Sequence, residues 1–448
     1  MDEKKIPPAV RQVWADLDSV SPTYLVGGAV RDLLRGEDPH DWDFATALHP
    51  EAIQAWARGK YKVIPTGAAW GTVTILHQGI SLEVTTFRRD GRYSDHRHPD
   101  SVSFSDSLEE DLSRRDFRIN ALAYSFTGDF IDPFGGFEDL QVHRIQTVGV
   151  AADRFQEDPL RMWRAARFAA QRDWEVSPEI IEAIDRYHSL MYLVSRERIQ
   201  TELWKLLGGI SPRRGLDVAH QGRLLDVVWP EWGAARGFDQ HNPHHDKPVD
   251  QHLLATACLG ETSLLRLAGL LHDIAKPACF TQDAGGTGHF YNHEHVGAIF
   301  ARDMLTRLRF PIQTAGMVSQ LVDYHMFPWW DAGDKAIRRL VHEVGAEQVQ
   351  NLIALHVMDH CASRNSAGGD LSGLKEHVTS LLKDSPPPPS LAISGYDVMA
   401  WLGIPPGPRV GQVLRRCWDW VGEDPLRNTY AQLKGFVLGL GKDYTLDC

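Results

Sequence analysis

Two aspartates separated by one residue, Asp41 and Asp43, follow a glycine pair in the segment LVGGAVRDLLRGEDPHDWDFAT. Residues i and i+2 of a strand point to the same face, so the two carboxylates are expected to converge. Convergent carboxylates suit Mg²⁺, which keeps several waters and binds substrate phosphates beside one or two acids. Glu83, in the segment LEVTTF, is a candidate third acid if a sheet brings it alongside.

The glycine pair, Gly27 and Gly28, lies between an apolar segment typical of a short strand and the helical stretch AVRDLLRG. Such a turn lets backbone N–H groups approach a triphosphate closely, and a helix N-terminus adds positive potential. Each feature alone is commonly a structural turn or a pair of solvated acids. Together, in this order, they favour a phosphate site coupled to a metal site.

A second group of potential ligands lies in the middle of the chain, where histidines are frequent: His252, His272, Asp273, His293, His295, His325 and Asp359. The adjacent pair His272-Asp273 follows an apolar helical segment, where burial is costly unless something neutralises the pair. A divalent metal between the two side chains would do so. A lone histidine on an apolar helix is more commonly a core residue, and we expect the cluster HNPHH at 241–245 to be a loop.

The elements that position these residues change along the chain. Segments 71–76 and 80–87 alternate and are rich in β-branched residues, so they predict a strand pair within a mixed α/β region of about 140 residues. From about residue 151 helical patterns dominate, with one amphipathic helix predicted over ADRFQEDPLRMWRAARFAAQ and another after Ser195, ending before Gly208. DSPPPPS at 384–390 predicts a stiff linker.

Composition narrows the class of protein. The chain has 448 residues, 43% hydrophobic and 24% charged, which is typical of a multidomain globular protein. We expect no membrane span and no secretory signal, and five cysteines without a CxxC spacing suit a reducing cytoplasm. The net charge of −12 argues against nucleic acid as a partner, but basic residues cluster at 161–172, 211–215 and 409–416.

With these residues in view, GGAVRD followed by DWDFAT resembles the class II tRNA nucleotidyltransferases and bacterial poly(A) polymerases, which have a polymerase β-type nucleotidyltransferase fold. The resemblance continues in order through LEVTTFRRDGRYSDHRHPDSVSF, EEDLSRRDFRINALAY, EDPLRMWRAARFAA and SRERIQTELWKLL. It implies an α+β fold: a polymerase β-like head of mixed sheet plus helices, followed by an all-α neck, body and tail. The implied boundaries are 1–142 for the head, 143–208 for the neck, 209–383 for the body and 391–448 for the tail.

The resemblance also implies a reaction, in which an RNA 3′-hydroxyl attacks the α-phosphate of CTP or ATP and pyrophosphate leaves. Asp41 and Asp43 would bind two Mg²⁺ ions, with Glu83 as the third catalytic acid. The nucleotide-binding residues would be Gly27, Gly28, Arg31, Asp32, Arg115, Asp116, Asn120, Glu157, Asp158, Arg161 and Arg164. The partners would be tRNA, CTP and ATP, and the oligomeric state stays open, a monomer included.

Nucleotide choice is assigned by the resemblance to Glu157, Asp158 and Arg161. On the single predicted helix Asp158 and Arg161 are i and i+3 neighbours, so they could read the Watson–Crick edge of C or A, or form a helical salt bridge. Arg118 stands where the family usually has threonine, which puts full CCA addition in question. The segment GRYSDHRHPD is not shortened, which favours addition of A, within CCA or alone, over addition of CC only.

In the middle of the chain the order H…HD…D resembles the HD phosphohydrolase superfamily. That resemblance implies metal ligation by His252, His272, Asp273 and Asp359, with His293 and His325 at a second metal or a substrate phosphate, and His295 as the weaker match. The metal would be Mn²⁺, Fe²⁺, Ni²⁺, Co²⁺ or Mg²⁺. The implied activity is a phosphomonoesterase or 2′,3′-cyclic phosphodiesterase.

The end of the chain, SGYDVMAWLGIPPGPRVGQVLRR, resembles a late element of the same nucleotidyltransferases. It implies either a grip on the tRNA elbow through phosphate contacts or a helix that only packs a core. Two other interpretations of the whole chain stay open at this point. One is a poly(A) polymerase, which a long basic C-terminal extension would favour, and the other is a phosphohydrolase whose head only binds RNA.

Overall fold

The computed structural model describes residues 3–64, 67, 70–91, 93, 101–242, 247–363, 371–384 and 391–443. The chain forms two compact units: unit 1 is Met1–Ala234 with Thr306–Phe310, and unit 2 is Ala235–Leu305 with Pro311–Cys448. Residues 209–234, which the sequence-based division places in the body, belong to unit 1. The four-part division itself stays a prediction.

Unit 1 begins with a seven-stranded mixed sheet in the order β3-β4-β5-β2-β1-β8-β9, flanked by shorter strand pairs. The strands are β1 (Thr23–Val26), β2 (Trp42–Thr46), β3 (Lys62–Ile64), β4 (Thr72–His77), β5 (Ile80–Thr86), β6 (Arg88–Asp90), β7 (Val102–Phe104), β8 (Ala123–Ser125), β9 (Phe130–Ile131), β10 (Arg144–Ile145) and β11 (Glu175–Val176). The predicted strand pair is confirmed, because β4 and β5 are antiparallel neighbours. In this sheet β2 and β5 form the parallel pair, which places two remote segments side by side.

The alternating residues of the central strands explain why this sheet forms. Val73, Ile75, Leu82 and Val84 are fully buried on one face, where the helix Pro8–Asp18 packs. Burial of each such side chain stabilises the folded protein by roughly 1.5–3 kcal/mol. A one-residue slip in register would move these side chains to the opposite face, so the apolar pattern specifies the pairing.

Helices occupy the rest of unit 1. They are α1 (Pro8–Asp18), α2 (Gly28–Leu34), α3 (Pro50–Ala57), α4 (Leu108–Ser113), α5 (Gly136–Gln141), α6 (Ala151–Glu157), α7 (Leu160–Arg172), α8 (Pro178–Tyr187), α9 (Arg196–Leu207), α10 (Pro212–Gln221), α11 (Leu224–Val228) and α12 (Pro230–Ala235). The helix predicted after Ser195 is confirmed as α9. Close packing of α7 against α10 requires Gly215, since a Cβ there would lie 2.5 Å from the carbonyl oxygen of Ala166.

The single helix predicted over 152–171 is wrong, because the chain forms α6 and α7 with a break between them. Asp158 ends α6 in an extended conformation (φ −138°, ψ 100°), and Pro159 precedes the first residue of α7. Proline disfavours helical geometry at the residue before it and lacks an N–H group for the helical ladder. The break therefore follows from Pro159 and turns Asp158 out of the helix that carries Arg161.

Unit 2, in the residues that the structure describes, consists of helices and one short hairpin. Its elements are α13 (Val249–Cys258), α14 (Ser263–Leu271), β12 (Thr281–Gln282), β13 (Gly288–His289), α15 (His293–Arg307), α16 (Ile312–Tyr324), α17 (Asp334–Val344), α18 (Ala346–Ala362), α19 (Leu371–Asp384), α20 (Gly395–Leu402), α21 (Pro408–Glu423) and α22 (Tyr430–Asp443). Helices α13, α14, α16 and α18 pack together. Gly269 allows α14 to pack closely on α13, since a Cβ there would lie 2.8 Å from Cα of Ala257.

The C-terminal helices of unit 2 form a small core of their own. Val398, Val413, Leu433 and Val437 are buried together, and Ser394 with Asp397 forms a capping box that begins α20. The helices predicted in this segment are thereby confirmed, whereas tRNA binding by it stays a prediction. The proline linker and most of the segments GRYSDHRHPD and HNPHH lie outside the described residues.

The mixed sheet followed by helices confirms the predicted α+β class. No helix in the described ranges is both long and apolar enough to cross a membrane.

Candidate active sites

Three carboxylates meet at the centre of the head sheet. Asp41 immediately precedes β2, Asp43 lies on β2, and Glu83 is the direct register partner of Asp43 across the parallel pair with β5. Burial raises the pKa of Asp43 to about 6, and the negative charges of Glu83 and Asp41 add to the rise while Arg115 opposes it. A cation would relieve this repulsion, so the donor set fits a divalent metal. The role of these acids as metal ligands stays a prediction.

The glycine turn lies against the same group. Gly27 has a φ of +72°, its N–H donates to the carbonyl oxygen of Leu122 at 3.1 Å, and its position leads from β1 into α2. A Cβ at Gly27 would lie 2.8 Å from Nη1 of Arg115 and 3.8 Å from Oδ2 of Asp43. The turn therefore needs glycine for its conformation and for its space.

Gly27→Ala is expected to raise the KM for the nucleoside triphosphate by about tenfold, which corresponds to roughly 1.4 kcal/mol. The methyl group would displace the Arg115 guanidinium and strain a left-handed backbone at the cost of about 1–2 kcal/mol. Gly36→Ala is the matched control, because Gly36 has a φ of +70° and open space around its Cβ position. Steady-state kinetics measure the KM of both variants. An equal rise in KM for Gly27→Ala and Gly36→Ala would contradict the interpretation.

Arg31, Asp32 and Asn120 are brought together, but as partners of one another. The Arg31 guanidinium donates to Oδ1 of Asp32 at 2.9 Å and to Oδ1 of Asn120 at 2.6 Å, and all three side chains are buried. Arg172 of α7 donates to the same oxygen of Asp32 at 2.8 Å. These bonds fasten α2 to Asn120 and to α7, and direct contact of the three residues with nucleotide stays a prediction.

Asp116 is a buried carboxylate held by three hydrogen bonds. Its oxygens accept from Nε of Arg164 at 2.7 Å, from the backbone N–H of Phe117 at 2.8 Å and from Nδ2 of Asn120 at 3.0 Å. Burial alone would raise the pKa of Asp116, but Arg164 and these hydrogen bonds outweigh it and lower that pKa to about 2. Asp116 thus links Asn120 to α7 through a charged hydrogen-bond network.

Asp116→Asn is expected to lower the free energy of unfolding by about 2 kcal/mol at pH 7. A carboxylate whose folded pKa is depressed from 3.8 to about 2 contributes stability at neutral pH and loses it as the pH falls through that window. Urea unfolding between pH 7 and pH 2 should therefore show the difference between the two proteins shrinking below about pH 4. Asp217→Asn, at the exposed pair with Arg213, is the control and should change stability by roughly 0.5 kcal/mol or less.

The residues predicted to select the nucleotide lie at the break between α6 and α7. Arg161 donates to Oε2 of Glu157 at 2.6 Å and to the carbonyl oxygen of Arg114 at 3.1 Å. Asp158 accepts from the backbone N–H of Leu160 at 3.1 Å and from Arg198 at 2.7 Å. The predicted placement of Asp158 and Arg161 on one helical face is therefore wrong, because Pro159 breaks the helix and each side chain is oriented by a different partner.

Two further arginines of unit 1, Arg198 and Arg118, have defined hydrogen-bond partners. Sequence reasoning missed Arg198, which stands one turn into SRERIQTELWKLL and reaches Asp158 only because α9 packs against α7. Arg118 donates from Nε to the carbonyl oxygen of Thr147 at 3.2 Å, and its charge acts on Asp139. Neither Thr147 nor Asp139 is a predicted site residue.

In unit 2 the predicted metal ligands converge. Nε2 of His252 lies 2.9 Å from Oδ1 of Asp359, 3.2 Å from Nε2 of His272 and 3.5 Å from Oδ2 of Asp273. His272 lies 3.3 Å from the same oxygen of Asp273 and 3.6 Å from Asp359. Three remote segments of the chain thus place two imidazoles and two carboxylates around one point.

A second group shares Asp273. Nε2 of His293 lies 3.1 Å and Nε2 of His325 lies 3.5 Å from Oδ1 of Asp273, whereas the exposed His295 pairs with Asp323 at 2.6 Å. Among the described residues, two groups of His, Cys, Asp and Glu have ligand atoms within 4.8 Å of one another: His252, His272 and Asp273, and Asp273, His293 and His325.

Hydrogen bonds set the tautomers of these histidines. Nδ1 of His272, His293 and His325 contacts the carbonyl oxygens of Gly269, Phe290 and Val322 at 3.0, 2.7 and 2.7 Å. A carbonyl oxygen only accepts, so each Nδ1 carries hydrogen, and Nε2 is the atom of each ring that could bind a metal. Apart from their contacts with Oδ1 of Asp273, the buried Nε2 atoms of His293 and His325 have no hydrogen-bond partner within the described residues, which fits ligation of a second metal sharing Asp273 with the first.

A cavity of about 370 Å³ opens at this cluster. It is lined by Asn242, Asp273, Lys276, Gly288, His289, Phe290, Tyr291, His293, Met326, His356, Asp359, His360 and Ser363. Sequence reasoning missed Lys276, whose buried Nζ lies 2.7 Å from Oδ2 of Asp273 and donates to Oε1 of Gln240 at 2.9 Å. Its position three residues after Asp273, one helical turn away, was a usable signal.

Comparison with protein-family models matches three parts of the chain. Residues 23–146 match the poly A polymerase head domain, residues 173–235 the probable RNA and SrmB-binding site of polymerase A, and residues 249–364 the HD domain. The first and last of these matches contain the carboxylate group and the histidine cluster described above.

An A-adding tRNA nucleotidyltransferase from Deinococcus radiodurans is 34% identical over 407 residues, which is 87% of this chain and 89% of that protein. The chain belongs to the tRNA nucleotidyltransferase family. It is therefore an enzyme, as its sequence predicts, and the family assignment made from the motifs is confirmed.

Other members of the tRNA nucleotidyltransferase family match in part or in fold. The CCA-adding enzyme of Anoxybacillus flavithermus is 50% identical over 186 residues, which is 42% of this chain and 46% of that protein, so this chain spans about half the length of that relative. The crystal structure of the Bacillus stearothermophilus CCA-adding enzyme in complex with CTP superposes with a TM-score of 0.66 at 27% identity, covering 98% of both chains.

Proposed function

We propose that this tRNA nucleotidyltransferase transfers AMP from ATP to the 3′-hydroxyl of a tRNA that ends in CC. The observation that carries nucleotidyl transfer is the group of Asp41, Asp43 and Glu83 beside the glycine turn. The extended match to an A-adding enzyme supports the choice of adenylate, since the stronger partial identities to CCA-adding enzymes cover less than half of the chain.

In this reaction the 3′-oxygen forms a bond to the α-phosphorus, the bond between that phosphorus and the bridging oxygen breaks, and pyrophosphate leaves. Asp41 and Asp43 would hold two Mg²⁺ ions, which neutralise phosphate charge and favour ionisation of the hydroxyl. Gly27 lets the triphosphate approach the backbone, and Arg115, whose guanidinium lies against Gly27, supplies positive charge.

Selection of the base is proposed for Asp158 and Arg161. Arg198 holds the carboxylate of Asp158, and Glu157 holds the guanidinium of Arg161, so an acceptor and a donor are fixed in orientation before the nucleotide binds. Fixed donors and acceptors reject a base with the wrong pattern because their own polar groups would be left unpaired.

The test uses tRNA transcripts that end at the discriminator base, after the first C and after the second C. Each transcript is incubated separately with labelled ATP or labelled CTP and Mg²⁺. ATP is expected to label the transcript that ends in CC, and CTP is expected to label none of the three. Incorporation of CTP into the two shorter transcripts would show CCA addition and would overturn the proposed restriction to A.

A second activity is proposed for unit 2, namely metal-dependent hydrolysis of phosphoesters. The observation that carries it is the convergence of His252, His272, Asp273 and Asp359 with His293 and His325 at the wall of a cavity. Two divalent metals held there would activate water and neutralise phosphate charge. Lys276 holds Asp273 in place, and the histidines are oriented by backbone carbonyl oxygens.

In the hydrolysis, a water oxygen bonds to phosphorus, the bond from phosphorus to the alcohol oxygen breaks, and a proton passes to that alcohol oxygen. The test is hydrolysis of adenosine 2′,3′-cyclic phosphate by metal-stripped protein supplied in turn with Mn²⁺, Co²⁺, Ni²⁺, Fe²⁺ or Mg²⁺. Turnover restored by a transition metal is expected from the imidazole-rich ligand set. Absence of turnover with every metal would contradict the proposed hydrolase.

A further inference from the structure

The cavity of unit 2 has two chemically different ends. Asp273, Asp359 and His293 contribute the proposed metal ligands, whereas His289, Phe290 and Tyr291 contribute aromatic rings. A volume of about 370 Å³ is within the range of roughly 300–1,000 Å³ typical of small-molecule sites. A phosphate group alone would leave the aromatic end unused.

Tyr291 is the exposed part of this aromatic end. Its residue surface is 70% exposed, and its ring stacks on His289 with centroids 5.5 Å apart and planes at 12°. A single exposed ring is ordinary on a protein surface, but this ring lines the same cavity as Asp273, His293 and Asp359. A nucleobase is the flat ligand that stacks on such a ring, and stacking of this kind tolerates any base.

Hydrogen bonds hold the stacked rings in place. Nε2 of His289 contacts Oδ2 of Asp283 at 3.1 Å, and Oδ1 of Asp283 accepts the backbone N–H groups of Gly285 and Thr287 at 2.9 Å each. The turn between β12 and β13 thus fixes the imidazole on which Tyr291 lies. A preorganised platform loses less entropy when a ligand binds.

The platform is also tied to the metal-ligand cluster. Phe290 packs on Phe280 with ring centroids 5.7 Å apart, its ring lies 5.3 Å from Nζ of Lys276, and its carbonyl oxygen accepts from Nδ1 of His293. The distance between the aromatic end and the proposed metal site is therefore set by one short, packed segment. Met326, 57% exposed, lines the same cavity and offers an adaptable apolar surface.

We propose that Tyr291, supported by His289 and Asp283, is a base-stacking subsite that makes the unit 2 hydrolase selective for phosphoesters of nucleosides. This inference rests on the proposed hydrolase and adds the residue that recognises its substrate. The phosphate binds at the metal-ligand cluster, and the base of the same molecule stacks on Tyr291.

The kinetic test uses the full chain with Mn²⁺ and two substrates, adenosine 2′,3′-cyclic phosphate and glycerol 1,2-cyclic phosphate, which has the same reactive ring and no base. Tyr291→Ala is expected to raise the KM for the adenosine ester by about tenfold. The same variant should leave kcat and all constants for the glycerol ester within about twofold. Tyr291→Phe keeps the ring and should behave as the wild type, and Tyr192→Ala is the control at an exposed tyrosine (62%) of unit 1.

Equal losses on both substrates, or no loss on either, would overturn the subsite. A binding experiment separates this failure from failure of the hydrolase. In protein carrying Asp43→Asn, which weakens nucleotide binding by the head, equilibrium dialysis measures the affinity for labelled adenosine 2′-monophosphate with Mn²⁺. A tenfold loss of affinity on Tyr291→Ala without any hydrolysis would support the subsite and refute the hydrolase, whereas unchanged affinity would refute the subsite.

Discussion

Replacing Asp41 and Asp43 together by alanine is expected to reduce nucleotide addition to tRNA by roughly a thousandfold or more. Metal ions supply several kcal/mol of transition-state stabilisation in such reactions, and each 1.36 kcal/mol corresponds to tenfold in rate. With both aspartates removed, Glu83 is the acid left of the three that meet at β2 and β5. Single-turnover incorporation of labelled nucleotide into tRNA measures the loss.

The same double variant should hydrolyse phosphoesters at the wild-type rate, because its changes lie in unit 1 and the histidine cluster lies in unit 2. Asp38→Ala is the control, since Asp38 follows the same glycine turn, is 83% exposed in its side chain and pairs only with Lys5 among the described contacts. Nucleotide addition that survives in the double variant would show that the metal assignment is wrong.

Replacing Asp273 by asparagine is expected to have the reciprocal effect. Asp273 offers oxygens to both groups of metal ligands, to His252 and His272 on one side and to His293 and His325 on the other. An amide has no charge to balance two cations, so bound metal should fall to near zero and phosphoester hydrolysis by roughly a thousandfold. Metal content by mass spectrometry and hydrolysis of adenosine 2′,3′-cyclic phosphate provide the two measurements.

His295→Ala is the matched control for this prediction, because His295 lies on α15 with His293 but is exposed and pairs with Asp323. Nucleotide addition by Asp273→Asn should remain within about twofold of the wild type, and a thermal melt checks that Lys276, left beside an amide, has not unfolded unit 2. Retention of both metal and hydrolysis would refute Asp273 as the shared ligand.

Sequence motifs predicted much of the candidate sites because ligand chemistry is a property of residue types. The order of GGAVRD, DWDFAT, RRDF and EDPLR was enough to assign the family and the α+β class. The strand pair β4–β5 and helix α9 were predicted correctly, because apolar residues repeat every two residues along a strand and every 3.6 residues along a helix. The break at Pro159 is also readable from the sequence, because proline disfavours a helix at the residue before it, but the apolar period of 3.6 residues continues across it and hides the break.

By itself, therefore, the sequence determined which groups could bind metal, phosphate and base, and which local elements carry most of them. Tertiary structure alone decided which groups meet. Glu83 reaches Asp43 through the parallel pairing of β2 with β5, Arg198 reaches Asp158 through the packing of α9, and three distant segments bring His252, His293 and His325 to Asp273. The physical reason is that strand register and helix packing are chosen by burial of the whole apolar surface, which no short segment encodes.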